Sequence, residues 1–267
     1  MWVQSPLPVQ ILCINIDMNK IDVVIPCIHR NIYTLQLCVE GLRKNVIDPI
    51  NNIYVISPKN DDILNICKQL NVININEIEV VGFEKQELIS FFGSRSGWYY
   101  QQFIKLNGDK VVETDNYLAI DSDHILLNKH QFIDNDKYVF YYSDEYHIPY
   151  FILIKKIFDN KYDKHCKYSF ISDKMIFNKQ YLNELKNEIT NIHNNDFISV
   201  ILQSSDSSTS FSEFETYGTW LSYNYPDKIK LLSCNRLMSF NKLNLSYDEL
   251  QNKYKNYLSV TEFALAT

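Results

Sequence analysis

Short β-branched runs alternate with helix-period segments through the first half of this chain, and that alternation restricts its fold more than any other feature. "IDVVIPCI" (21–28) is a compact apolar run that includes a proline, which predicts a buried strand. "NIYTLQLCVEGLRKN" (31–45) then has a helical period, with Asn31 placed as its N-cap. "NNIYVISPKN" (51–60) and "DDILNICKQL" (61–70) repeat the strand–helix pair. "EIEVVGFE" (77–84) reads as a strand, "SRSGWYYQQFIKL" (94–106) as a helix and "NYLAIDSD" (116–123) as the next strand. Such a sequence predicts an α/β fold with a mixed, mostly parallel sheet flanked by helices.

Beyond residue 130 the pattern loosens. "KYVFYYSDEY" (137–146) reads as a strand and "PYFILIKKIF" (149–158) as a helix opened by Pro149. "SFISDKMIFNK" (169–179) is extended and "KQYLNELKNEITNI" (179–192) helical. "SSDSSTS" (204–210) reads as a mobile loop, a candidate lid, and "IKLLSCN" (229–235) as a last strand before a polar, helical tail. No repeat or long linker divides the 267 residues, so a single domain is expected.

Composition narrows the partners. With 46% hydrophobic and 22% charged residues the chain is globular, and a net charge of −6 provides no basic field for nucleic acid. The six cysteines show no C-x-x-C spacing, which argues against zinc and for reduced thiols in a cytoplasmic setting. The N-terminal stretch lacks the basic and apolar blocks of a signal peptide, and no apolar run is long enough for a membrane span; peripheral membrane association stays open.

"YLAIDSDHILL" (117–127) carries the chemistry. If the strand persists, Asp121 and Asp123 share a face, with Ser122 between them. Two carboxylates about 4 Å apart repel by about 4 kcal/mol at an effective dielectric of 20. A divalent cation removes that penalty, and Mg²⁺ or Mn²⁺ suits carboxylate oxygen. In an open parallel sheet, ligands bind beyond the carboxyl ends of the strands, where this pair falls. Two phosphate chemistries compete: a phosphohydrolase of the haloacid dehalogenase type with Asp121 as nucleophile, and metal-assisted transfer from a nucleotide-sugar. A binding module without turnover is a third, non-enzymatic alternative.

"DVVIP" (22–26), "GWYYQQFIKL" (97–106), "AIDSDHILL" (119–127), "SFISDKMIFNK" (169–179) and "SEFETYG" (212–218) together resemble the GT-A glycosyltransferases, in particular bacterial-type polysaccharide- or capsule-building enzymes. The resemblance spans roughly residues 21–235. It implies a Rossmann-like nucleotide-sugar-binding half (21–130), an acceptor-binding half (131–240) and a C-terminal helical tail (241–267). It also implies a hexosyltransferase taking a UDP- or GDP-sugar donor and a glycan acceptor, with Mn²⁺ or Mg²⁺ on Asp121 and Asp123. Many such enzymes add a late histidine to the metal, but no histidine follows His193.

The remaining blocks supply expected contacts. In the 94–106 helix, Tyr99, Phe103 and Leu106 form a core stripe, while Trp98, Gln101, Gln102 and Lys105 gather opposite. Arg95, at the helix entrance, and Lys105 are expected to meet donor phosphate or sugar, with Gln101 on the sugar and Trp98 as a neighbouring wall. Pro26, His29 and Arg30 leave the first strand at the same edge and are candidates for the nucleotide. In "SFSEFETYGTW" (210–220), Ser212 and Glu215 have capping-box spacing. Glu213 shares a helix face with Tyr217 and Trp220, read as an aromatic acceptor platform, and is the expected general base of an inverting transfer. Asp173 is the rival base or an acceptor contact.

Overall fold

A computed structural model describes residues 20–164, 166–239 and 244–262. The chain runs β1 (Ile21–Pro26), α1 (Ile32–Asn45), β2 (Ile50–Ser57), α2 (Asp61–Gln69), β3 (Ile73–Asn76), α3 (Glu77–Val81), α4 (Ile89–Phe92), α5 (Ser96–Leu106) and β4 (Asn116–Ile120). It continues with β5 (His124–Leu126), β6 (Ile133–Asp134), β7 (Lys137–Tyr142), α6 (Ile148–Ile157), β8 (Lys174–Asn178), α7 (Lys179–His193), α8 (Phe197–Ser204) and α9 (Glu213–Asn224). β9 (Ile229–Ser233), β10 (Arg236–Ser239), α10 (Tyr247–Lys253) and β11 (Ser259–Glu262) complete it.

The main sheet has the order β3-β2-β1-β4-β8, parallel except for β8. β1 is buried along its whole length, as its Val/Ile run requires. From β1 the chain winds outward to β2 and β3 on one side, then returns to place β4 on the other. That reversal makes the carboxyl ends of β1 and β4 the switch point of the sheet, the usual ligand position of an open α/β fold. β8 runs antiparallel to β4 with Ile120 opposite Lys174, so Asp173 lies beside Asp121, whose N–H donates to the Asp173 carbonyl at 3.1 Å. Two small sheets flank this frame, β10-β11-β5 and β6-β7-β9.

Two expected elements differ. Residues 77–84 begin a helix, α3, rather than a strand. The Asn76 side chain accepts from the Ile78 N–H at 2.9 Å, and Gly82, at φ 95°, takes the left-handed position that ends it. Those end signals outweigh the alternation of Glu with apolar residues. The tail holds a helix, α10, but it is followed by β11, which pairs with β10 and antiparallel with β5. Long-range pairing, invisible to local periodicity, sets that strand. No described helix is long and apolar enough to cross a membrane.

Close packing seats the segment after the two aspartates. A Cβ on Gly41 of α1 would lie 2.7 Å from the backbone carbonyl of Leu126, so only glycine lets α1 lie so close to β5.

Candidate active site

β4 ends at Ile120, and Asp121 to His124 form a tight turn in which the His124 N–H donates to the Asp121 carbonyl at 3.0 Å. The two aspartates therefore sit on a turn between β4 and β5 rather than on one strand face. Ser122 is buried and accepts from the Asn31 side-chain amide at 3.0 Å. Asn31, expected as the cap of α1, makes no side-chain cap bond and instead ties the start of α1 to this turn.

Buried acids elsewhere show what a structural carboxylate looks like here. Asp22, at the far end of β1, accepts from the N–H groups of Asn52, Glu113 and Thr114 and from the Asn51 amide at 2.7–3.0 Å. Asp48 accepts from the N–H groups of Phe132 and Ile133 at 2.6 and 3.1 Å. Asp123 has no such partner: among the described residues no other residue donates to its carboxylate and no cation pairs with it. Burial first, then the charges of Asp121 and Asp173, push it up to about 7. Asp121 rises to about 6, again by burial foremost, although Lys105 pulls it down.

Lys105, expected to meet donor phosphate or sugar, is instead buried against two carboxylates. Its Nζ lies 2.6 Å from Asp121 Oδ1 and 2.7 Å from Glu213 Oε1, with its side chain 3% exposed. The contact with Asp121 is an ion pair off hydrogen-bond alignment, whereas that with Glu213 is a true hydrogen bond. Its ammonium is held above its ordinary value, the carboxylate charges outweighing burial. Gln102 is buried beside it and accepts from the Glu213 N–H at 3.0 Å. The reason is that α9 covers this face of α5.

α9 itself is buried from Glu213 to Leu221. Tyr217 and Trp220 are core residues, the first accepting from the Asn178 N–H and the second donating to Glu188, so they form no open platform. Ser212 caps α9 through the Glu215 N–H at 3.2 Å. The Glu215 carboxylate does not close the capping box; it accepts from Ser169 Oγ at 2.7 Å and the Phe170 N–H at 3.1 Å.

Asp173, at a left-handed φ of 58°, forms the opposite wall. Its Oδ2 meets Arg236 Nη1 at 2.5 Å and accepts from Thr261 Oγ1 at 2.8 Å. Despite burial, His124 and Arg236 hold it well below the usual carboxylate range. His124 bonds Thr261 through Nδ1 at 2.8 Å and Lys174 Nζ through Nε2 at 3.1 Å. Burial first, then Lys174, lowers it to about 4. Arg236 also pairs with Glu145. Sequence reading missed Arg236, His124, Lys174 and Thr261. Only Lys174 carried a signal, a lone cation at the head of the apolar run Met175–Phe177. Pro26 closes β1; His29 and Arg30 are exposed after it, His29 pairing with Asp62 at 3.0 Å. Arg95 is exposed, its guanidinium 4.4 Å from the Trp98 ring, and Gln101 is half-buried.

Among the described residues, no group of three or more His, Cys, Asp or Glu is arranged to hold a metal ion. Two carboxylates are nevertheless sufficient protein ligands for Mg²⁺-type ions, which take water and substrate phosphate for the rest. The unpartnered, charge-strained Asp123 beside Asp121 fits that requirement.

The raised pKa values set a stability prediction. Asp121 and Asp123 keep their protons in the folded chain up to about pH 6 and 7, whereas unfolded aspartates lose theirs near pH 4. The folded state binds more protons in that window, so their contribution to stability falls as pH rises through it. Asp123→Asn is expected to melt close to wild type at pH 4 and several degrees higher at pH 8 without divalent ions. Calorimetric melts across pH check this; a constant difference would contradict it.

No curated protein matches the sequence. Among solved structures, the chain is similar to mouse xyloside xylosyltransferase 1 (9% identity, TM-score 0.49, covering 91% of this chain and 97% of that one). It is similar to the galactosyltransferase LgtC (11% identity, TM-score 0.49, 92% and 88%). It is also similar to the glycosyltransferase GlyE of Streptococcus pneumoniae TIGR4 (12% identity, TM-score 0.45, 92% and 55%). At these values the likeness lies in chain course, and the activities of those proteins are not transferred by it. Residues 18–246 match DUF6492, a family described as one of unknown function, and the chain belongs to that family.

Proposed function

We propose that this protein is a glycosyltransferase that moves a sugar from a nucleoside-diphosphate donor to a glycan acceptor with the help of Mn²⁺ or Mg²⁺. One observation carries the reading: at the switch point of the sheet, Asp123 is a half-buried acid to which no other described residue donates, in a fold that gives the buried Asp22 four donors and Asp48 two. A carboxylate left without a protein donor beside a second one is a place where a divalent cation offsets the repulsion.

Asp121 and Asp123 would hold the ion, which when bound offsets the negative charge of the departing diphosphate. Pro26, His29 and Arg30 follow β1 at the same switch point and offer the nucleotide a wall and cationic or hydrogen-bonding groups. Ser122, held by Asn31, fixes the turn that presents the carboxylates. Lys105 joins the donor carboxylate Asp121 to Glu213 and so holds the two sides of the site at a fixed spacing. Glu213 takes the proton of the acceptor hydroxyl through the oxygen that Lys105 leaves free, and direct attack by that hydroxyl inverts the anomeric centre. Asp173, kept ionised by Arg236, borders the same space.

The test is acceptor-dependent release of UDP or GDP from nucleotide-sugars in the presence of Mn²⁺, with the product anomer read by NMR. Glu213→Gln is expected to cut turnover at least about a hundredfold, with donor affinity little changed. Near-normal turnover would remove Glu213 from the chemistry.

A further inference from the structure

We propose that Thr261 on β11 is a positioning residue, the link in a buried hydrogen-bonded relay from Lys174 to Asp173 that fixes the placement of Asp121 and Asp123. Its effect on donor binding rests on the glycosyl-transfer reading. Each of the two aspartates has a backbone anchor outside its own turn. The Asp121 N–H donates to the Asp173 carbonyl at 3.1 Å, and the Asp123 carbonyl accepts from the Glu262 N–H at 3.0 Å. Thr261 joins the two anchors. It precedes Glu262 on β11, and its hydroxyl donates to Asp173 Oδ2 at 2.8 Å. In the antiparallel β11–β5 pair it also lies opposite His124, the residue after Asp123.

The chemistry of both ends fixes the direction of the relay. A lysine ammonium only donates, so His124 Nε2, 3.1 Å from Lys174 Nζ, accepts, and the ring proton sits on Nδ1. That N–H donates to Thr261 Oγ1 at 2.8 Å. The single hydroxyl proton of Thr261 then goes to Asp173, whose carboxylate only accepts. All three bonds point from Lys174 to Asp173, and each polarises the next. Lys174, His124 and Thr261 are all buried, so no water competes for these bonds in the closed fold.

Asp173 requires such a hold. It sits at a left-handed φ of 58°, a conformation that a non-glycine residue keeps only where its surroundings fix it. Arg236 of β10 lies 2.5 Å from the same Oδ2 that Thr261 serves. The last two strands therefore set the backbone that receives Asp121, while the residue after Thr261 receives Asp123. Loss of the Thr261 hydroxyl loosens one anchor directly and the strand that carries the other.

The test compares the full-length wild type with Thr261→Val, which keeps the side-chain shape without the hydroxyl, and Thr261→Ser, which keeps the hydroxyl. Without ligands, NMR should show the Asp121 and Glu262 amides of Thr261→Val exchanging at least about tenfold faster, beyond any change at Val23 and Val24 of β1, which report global opening. Thr261→Ser should stay near wild type. Nitrogen NMR should find His124 protonated at Nδ1 and bare at Nε2. By calorimetry, the affinity for UDP or GDP with Mn²⁺ should fall about tenfold in Thr261→Val and return in Thr261→Ser. Exchange that rises equally at β1 and at the two anchors, or unchanged nucleotide affinity in Thr261→Val, overturns the positioning role and leaves the hydroxyl as a bond of the fold. The opposite His124 tautomer overturns the relay. If the wild type binds neither nucleotide with Mn²⁺, the transferase reading fails, and exchange at Asp121 and Glu262 decides the role of Thr261 by itself.

Discussion

Lys105→Met is expected to destabilise the protein by about 3–5 kcal/mol, roughly 6–20 °C in melting temperature for a chain of this length. The ammonium is enclosed by Asp121 and Glu213 and lies 4.5 Å from the centre of the Phe214 ring. Removing it leaves the buried Glu213 carboxylate and the half-buried Asp121 without a counter-charge between them. The double variant Lys105→Met/Glu213→Gln should recover about 1–3 kcal/mol of the sum of the single effects, because the second change removes one of the stranded charges. Chemical denaturation of the four proteins gives the cycle. Additive effects, or a single-variant loss under about 1 kcal/mol, would show that the ion pair does not brace α5 against α9.

Asp121→Asn and Asp123→Asn are both expected to impair function, and Asp123→Asn to stabilise the metal-free fold. Each should lower turnover by about 10²–10³-fold, the usual scale for losing a preorganised electrostatic group. Asp123→Asn should at the same time stabilise the metal-free protein at pH 8, since no donor in the described structure compensates its charge. That opposition is the mark of a site whose strain is kept for a ligand. Asp22→Asn is the control: its carboxylate serves four donors, so its loss should weaken the fold without a divalent-ion effect.

Much of the fold of residues 21–130 was legible because its signals are local. The Val/Ile run of β1, the helical periods of α1 and α2 and the apolar climb of β4 each announce their element within a dozen residues, and together they place Asp121 and Asp123 at the switch point. What sequence could not show is set by packing at long range. Lys105 looks like a surface residue because its partners lie on the turn after β4 and on α9, 16 and 108 positions away. Glu215 has capping-box spacing, yet its carboxylate turns to Ser169 and Phe170. Asp173 gains Arg236 and Thr261 from the last two strands, which no period announced.

The most direct measurement is calorimetric titration of UDP and GDP into the wild type and Asp123→Asn at pH 8, with and without Mn²⁺. The expected result is that one nucleotide binds the wild type at least about tenfold tighter with Mn²⁺, a gain of about 1.4 kcal/mol, and that Asp123→Asn abolishes this gain. Equal affinity with and without the ion, or a gain that survives the substitution, would contradict a cation-assisted diphosphate site at Asp121 and Asp123.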